Sequence, residues 1–348
     1  MDSSKAWSWS VFRRAQIDEI IQQGRQDTLC GTISSHLKTI NIQYTLNSRP
    51  EEFYASELRD IWYTLIQAGK NITTDELLKD GISQGCRQDD IVRELVTFRA
   101  LGTLQRSVQT SNLDDNSNNG TSTVQGVITF SDGHTLWSGL PLLSICLTEE
   151  FTKYYYQKDY STEQRGNMAG LIARLLAAGF YDGPGLCALS LFRETLETPR
   201  PLVTDADSKE TPETLLSLED LLEHLTELCQ ESGYGLAILS SSQTSAATMS
   251  MIKTNAADYP HLSNLGDLAL RAGTATGSSP TGYSPQRWGF WVRRLTELTQ
   301  CGIESIERCA KFCLAPMRWA GDETNLLPGL ISEELTICED EDYEQACI

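Results

Sequence analysis

Apolar side chains recur along this chain at helical rather than strand spacing, most sharply between Gly166 and Glu197. Met168, Leu171, Ile172, Leu175 and Leu176 fall at i, i+3, i+4, i+7 and i+8, which aligns five apolar side chains and predicts a buried helix. After Gly179 the run Tyr181-Asp182-Gly183-Pro184-Gly185 stops that helix and starts another. The second runs from about Leu186, with Leu189, Phe192 and Leu196 on one face, until Pro199 and Pro201 end it. A helical hairpin is the organising element this pattern predicts.

The same periodicity predicts helices over 7–24, 50–70, 87–108 and 140–156, and a short helix capped by Thr73-Thr74-Asp75-Glu76. Beyond the hairpin it predicts 215–229, 233–251, a long helix from Trp288 and a last one over 302–319. Residues 30–46 show no clear pattern, and 123–130 read as a short strand or an irregular segment. Thr110–Gly120 and Gly273–Pro285, rich in breakers and polar residues, read as flexible loops. The fold class is therefore all-α, an irregular multi-helix bundle with two flexible loops. Residues 1–199 form an N-terminal helical half that includes the hairpin, 212–330 a C-terminal half packed on it, and 331–348 an acidic tail. A single domain is the alternative.

Composition narrows the classes of function. The 348 residues are 40% hydrophobic, enough for a sizeable core. Against 28 basic side chains stand 47 acidic ones, a net charge of -19, which repels phosphate backbones and argues against nucleic-acid binding. No apolar run suits a membrane span or a signal peptide, so the expected location is the cytoplasm. The ten cysteines lack a CxxC pair and read as reduced, mostly buried thiols. Cys309 and Cys313 lie one helical turn apart, but four histidines in the whole chain make zinc binding and a hydrolytic triad poor readings. Walker, Rossmann and GxSxG patterns are absent.

Three stretches carry a resemblance. Asp132-Gly133-His134-Thr135-Leu136-Trp137-Ser138-Gly139-Leu140-Pro141, then Asn167-Met168-Ala169-Gly170-Leu171-Ile172-Ala173-Arg174-Leu175 with the Ala188–Glu197 helix, then Trp288-Gly289-Phe290-Trp291, resemble a large fungal family. Its members are all-helical proteins mostly without assigned function. Trp137, Leu140, Pro141, Asn167, Ala173, Arg174, Arg193, Leu196 and Glu197 keep the pattern, whereas Gly139 stands where an Asp is usual. More distantly the chain is similar to the non-canonical humulene synthases of fungal tropolone sesquiterpenoid pathways.

That second resemblance implies a class I terpene cyclase, which ionises a prenyl diphosphate with Mg²⁺, farnesyl diphosphate being favoured and the product of humulene type. Such chemistry needs oxygen ligands for Mg²⁺, cations for the departing diphosphate and aromatic faces for the carbocation. Asp89, Asp90 and Glu94 are the metal candidates it implies, with helix capping and solvation as the ordinary alternative. Asn167, Arg174 and Arg271 are the diphosphate candidates, against structural hydrogen bonding. Trp288, Phe290 and Trp291 are the catalytic aromatics, against core packing, with Met249 and Met251 as pocket-shaping candidates. Asn264 and Asp267 beside Arg271 could add ligands or simply cap a helix. The rival reading is a non-catalytic helical interaction or scaffold protein.

Overall fold

The computed structural model describes residues 3–25, 27–46, 49–72, 87–102, 106–110, 122–157, 160–203, 216–242, 264–274 and 282–326. The expectations for the cap at 73–76, most of the two flexible loops, Met249, Met251 and the acidic tail lie outside them. The fold class is all-α, as the periodicity predicts. In chain order the helices are α1 (Ser3–Gln22), α2 (Asp27–Leu46), α3 (Glu51–Asn71), α4 (Gln88–Ala100), α5 (Leu143–Glu150), α6 (Thr162–Ala177), α7 (Pro184–Phe192), α8 (Leu218–Ser241), α9 (Asp267–Arg271), α10 (Pro285–Leu298) and α11 (Glu304–Glu323). Helices α5 and α7 each run on into a π-helical turn, Phe151–Tyr155 and Arg193–Glu197.

The hairpin is α6 and α7, both of them buried, α7 along its whole length. Ser161 caps α6 by accepting from the Gln164 backbone N–H at 3.1 Å, while the Gln164 side chain accepts from the Ser161 N–H at 3.2 Å. From there Met168, Leu171, Ile172, Leu175 and Leu176 are fully buried, and α6 packs against α3 on one side and α8 on the other. Helix α11 covers α8, and α10 lies across α8 and α11. Helices α1 and α2 lean on α3, whose Leu58, Ile61, Trp62 and Leu65 supply the N-terminal part of the core.

Four expectations are corrected. The helix after Arg87 ends at Ala100; Arg106–Thr110 forms a strand, β1, antiparallel to β2 (Ser122–Gly126), with Val108 opposite Val124. Gly102 at φ 68° breaks the helix. Residues 27–46, unreadable by pattern, make α2, with Leu29, Ile33, Leu37, Ile40 and Tyr44 buried along it. Helix α8 does not stop near Cys229 but continues through Gly233 and Gly235. A Cβ on Gly233 would sit 3.5 Å from the Pro316 carbonyl oxygen of α11, and one on Gly235 3.4 Å from the Leu176 oxygen of α6. Both are ordinary van der Waals distances, so these buried glycines lie in plain packing contact with α6 and α11 and do not break the helix. Finally, Cys30 is disulfide-bonded, so the cysteines are not all thiols. No described helix is long and apolar enough to cross a membrane.

Candidate functional site

Asn167 and Arg174 meet around a residue that the sequence did not single out, Gln88. The last carbonyls of α3 have no partner within their own helix and need donors from outside. Buried Gln88 gives its amide to Gly69 O and Ile72 O, each at 3.1 Å, and to Asn167 O at 2.9 Å. Asn167 Nδ2 donates to Lys70 O at 2.9 Å. Arg174 Nε donates to Asp89 Oδ1 at 2.9 Å, and its Nη1 reaches Gln88 Oε1 at 3.5 Å. Asn167 and Arg174 thus tie the end of α3 and the start of α4 to α6. Arg271 is exposed on α9, which packs on the Arg193–Glu197 turn.

The three metal candidates do not share a point. Asp89 pairs with Arg174, Asp90 with Arg93 at 3.2 Å, and Glu94 accepts from Ser34 at 3.0 Å with Lys38 at 3.9 Å. Among the described residues no three His, Cys, Asp or Glu side chains converge as a metal site. Mg²⁺ needs several oxygens directed at one centre, and this donor set does not fit it.

Trp288, Phe290 and Trp291 are buried on the inner face of α10. Trp291 stacks on Phe192 with centroids 4.4 Å apart and meets Trp288 edge-on at 6.3 Å. Its indole N–H donates to Glu197 Oε1 at 2.7 Å. Glu197, with 0% exposure, also accepts from Arg287 Nε at 2.5 Å and Nη2 at 3.0 Å, and from the Gly266 N–H at 2.7 Å. Arg287 also donates to the carbonyls of Gly282 and Asn264. The pair is costly to desolvate, but both partners are hydrogen-bonded all round. A Cβ at position 266 would stand 2.6 Å from Glu197 O, so only glycine brings its backbone to that carboxylate. The π turn delivers Glu197 inward, by widening the last turn of the hairpin. The sequence marked Glu197 through the family pattern; Arg287 carried no signal.

The loop Asp132–Leu142 combines strain with accessible polar chemistry. Trp137, Leu140 and Leu142 have φ of 68°, 52° and 67°, the left-handed region that costs non-glycine residues free energy. Buried Asp132 holds the loop: its Oδ1 accepts from the His134 N–H at 3.0 Å, its Oδ2 from the Leu142 N–H. Trp137 Nε1 donates to Asn41 Oδ1 at 2.9 Å, and Trp62 Nε1 to Pro141 O at 2.7 Å. Outside this frame His134 Nε2 meets Asp182 Oδ2 at 2.8 Å, joining the loop to the hairpin turn. That hydrogen bond, with the Asp132 charge also contributing against partial burial, raises the His134 pKa above 6.5. Asp182 Oδ1 is buried without a partner. The His134 ring occupies a notch opened by Gly139, where a Cβ would fall 2.0 Å from Nδ1. His134 and Asp182 are 17% and 26% exposed, within reach of solvent. This accessible histidine–carboxylate pair, set beside the strained residues of the loop and with the His134 pKa raised, is the candidate functional site. Sequence reading placed both residues in notable stretches yet could not pair them, since 48 positions separate them.

The comparisons with known proteins bear on all three centres. A protein of Penicillium oxalicum described as oxopyrrolidines biosynthesis cluster protein G is 26% identical over 265 residues, covering 73% of this chain and 63% of its own length. The chain thus spans less than two thirds of that relative. No solved structure matches this chain. The model of a family described as protein of unknown function (DUF3632) matches residues 62–295, an interval that contains Asp132, His134, Asn167, Arg174, Asp182, Glu197, Arg287 and Trp291. The chain therefore belongs to the DUF3632 family.

Proposed function

We propose that this chain serves fungal secondary-metabolite biosynthesis as a non-catalytic helical scaffold that presents the Asp132–Leu142 loop with its His134–Asp182 pair. One observation carries the reading: exposed Arg271 apart, the polar groups that prenyl-diphosphate ionisation would use already hold partners within the chain. Asp89 and Asp90 neutralise arginines, Glu94 accepts from Ser34, Asn167 and Arg174 hold α3 and α4 to α6, and Trp291 is bonded to a buried carboxylate. The biosynthetic setting rests on the Penicillium oxalicum relative, named for a biosynthesis cluster.

A second reading is the Mg²⁺-dependent cyclase acting on farnesyl diphosphate. What favours it is the all-α bundle, with Trp288, Phe290 and Trp291 gathered on one helix. One experiment separates the two. Purified protein is incubated with farnesyl, geranyl and geranylgeranyl diphosphates, with and without Mg²⁺, and the extracts are analysed for hydrocarbons. The scaffold reading expects none. A Mg²⁺-dependent hydrocarbon overturns it in favour of the cyclase.

A further inference from the structure

Helix α11 is divided lengthwise. Ile306, Ala310, Cys313 and Met317 are buried against α8 and α10. The opposite side exposes Arg308, Lys311, Phe312, Ala315, Trp319 and Asp322, spaced i, i+3, i+4, i+7, i+11 and i+14 on one face. Phe312 is 41% and Trp319 59% exposed, and Tyr234 of α8, 52% exposed, adjoins Trp319 with ring centroids 6.3 Å apart. A single exposed aromatic is ordinary. Three on one face, with Glu304 at its start, then Arg308 and Lys311, and Asp322 in the last turn, form a patterned strip of the kind that interface centres show.

The order of charge along this strip is self-complementary. Arg308 and Asp322 each stand seven residues from Ala315, about 10 Å along the helix axis in opposite directions. A two-fold axis through Ala315 lays a second α11 antiparallel on the first. It sets each Arg308 against the other copy's Asp322, and each Lys311 over the other copy's Trp319, ammonium against indole face. The small side chain of Ala315 permits the close crossing. A parallel arrangement would instead oppose like charges. We propose that this face of α11, with Tyr234 at its margin, is the interface of an antiparallel two-fold dimer of this chain.

Sedimentation velocity and light scattering on the full chain test it, with a concentration series to give the dimerisation constant. The expected result is a dimer that Arg308→Glu or Asp322→Arg weakens about tenfold, since each substitution turns two attractions into repulsions. The double variant R308E/D322R restores the affinity, because opposite charges meet again with their signs exchanged. Trp319→Ala weakens the dimer at least as much as either charge reversal. All three substituted positions are exposed, so far-UV circular dichroism should stay unchanged and report an intact fold. A monomer at every concentration overturns the proposal. So does a dimer indifferent to these changes, or a double variant no tighter than the single ones.

Discussion

Replacing His224 with leucine should remove most of an acid sensitivity built into the α6–α8 contact. His224 is 2% exposed on α8, its Nε2 has no hydrogen-bond partner, and its Nδ1 lies 3.6 Å from where a Cβ on Gly166 would be. Burial, reinforced by the nearby Arg165 charge and only partly offset by Asp220, lowers its pKa from 6.5 to about 4. Between those values the unfolded chain binds a proton that the folded chain refuses. The neutral imidazole therefore contributes its full share of stability above the unfolded pKa, and that share is lost as pH falls toward the folded pKa. Each pH unit in the gap is worth about 1.4 kcal/mol, so the complete loss is roughly 3 kcal/mol. About 2 kcal/mol of it falls between neutral pH and a pH near 5. Urea denaturation of wild type and His224→Leu at both pH values measures the difference, and the contributions of His36 and His134 cancel between the two proteins. If the variant loses as much stability on acidification as wild type does, the burial argument is wrong.

Three further outcomes are expected. Glu197→Gln leaves Arg287 buried without its counter-charge and should cost roughly 3–5 kcal/mol in urea denaturation. Gly139→Ala places a methyl group where the His134 ring now sits, so His134 should leave Asp182 and its raised pKa should fall back toward 6.5 in an NMR titration; an unmoved titration would show that the notch is roomier than described. Asn167→Ala removes the amide that serves Lys70 O and should cost about 1–2 kcal/mol, read by thermal or chemical denaturation.

What the sequence could disclose follows from the range of the forces involved. The stripe on α6 and the apolar face of α3 were legible because each is set by residues three and four apart, and burial respects that spacing. Helix α2 was not, since Thr32, Thr39 and Thr45 favour non-helical backbone until their hydroxyls bond to carbonyls one turn back, as they do here. The pattern divides α8 into 215–229 and 233–251, because its apolar spacing lapses between Cys229 and Gly233. Contacts with α6 and α11, which no local pattern records, accompany its continuation through Gly233 and Gly235. The site was less legible still. Asn167 and Arg174 stood out as polar residues flanking an apolar stripe, but their partners Lys70 and Asp89 come from other helices. The pairing of Glu197 with Arg287, and of His134 with Asp182, depends on loops whose paths no local pattern records.

The carboxylate of Glu197 also sets an order on assembly. It draws donors from Gly266, Arg287 and Trp291, all of which follow it in the chain by 69 to 94 positions. Until those segments arrive, closing the apolar layer over the end of the hairpin would trap a naked charge, a step that desolvation makes steeply unfavourable. The N-terminal elements can therefore collapse around α6 early, while the hairpin's far end stays open and waits for α10. A nascent or truncated chain that stops short of Arg287 would be held unfinished by a single acidic side chain, which thereby acts as a checkpoint on completion.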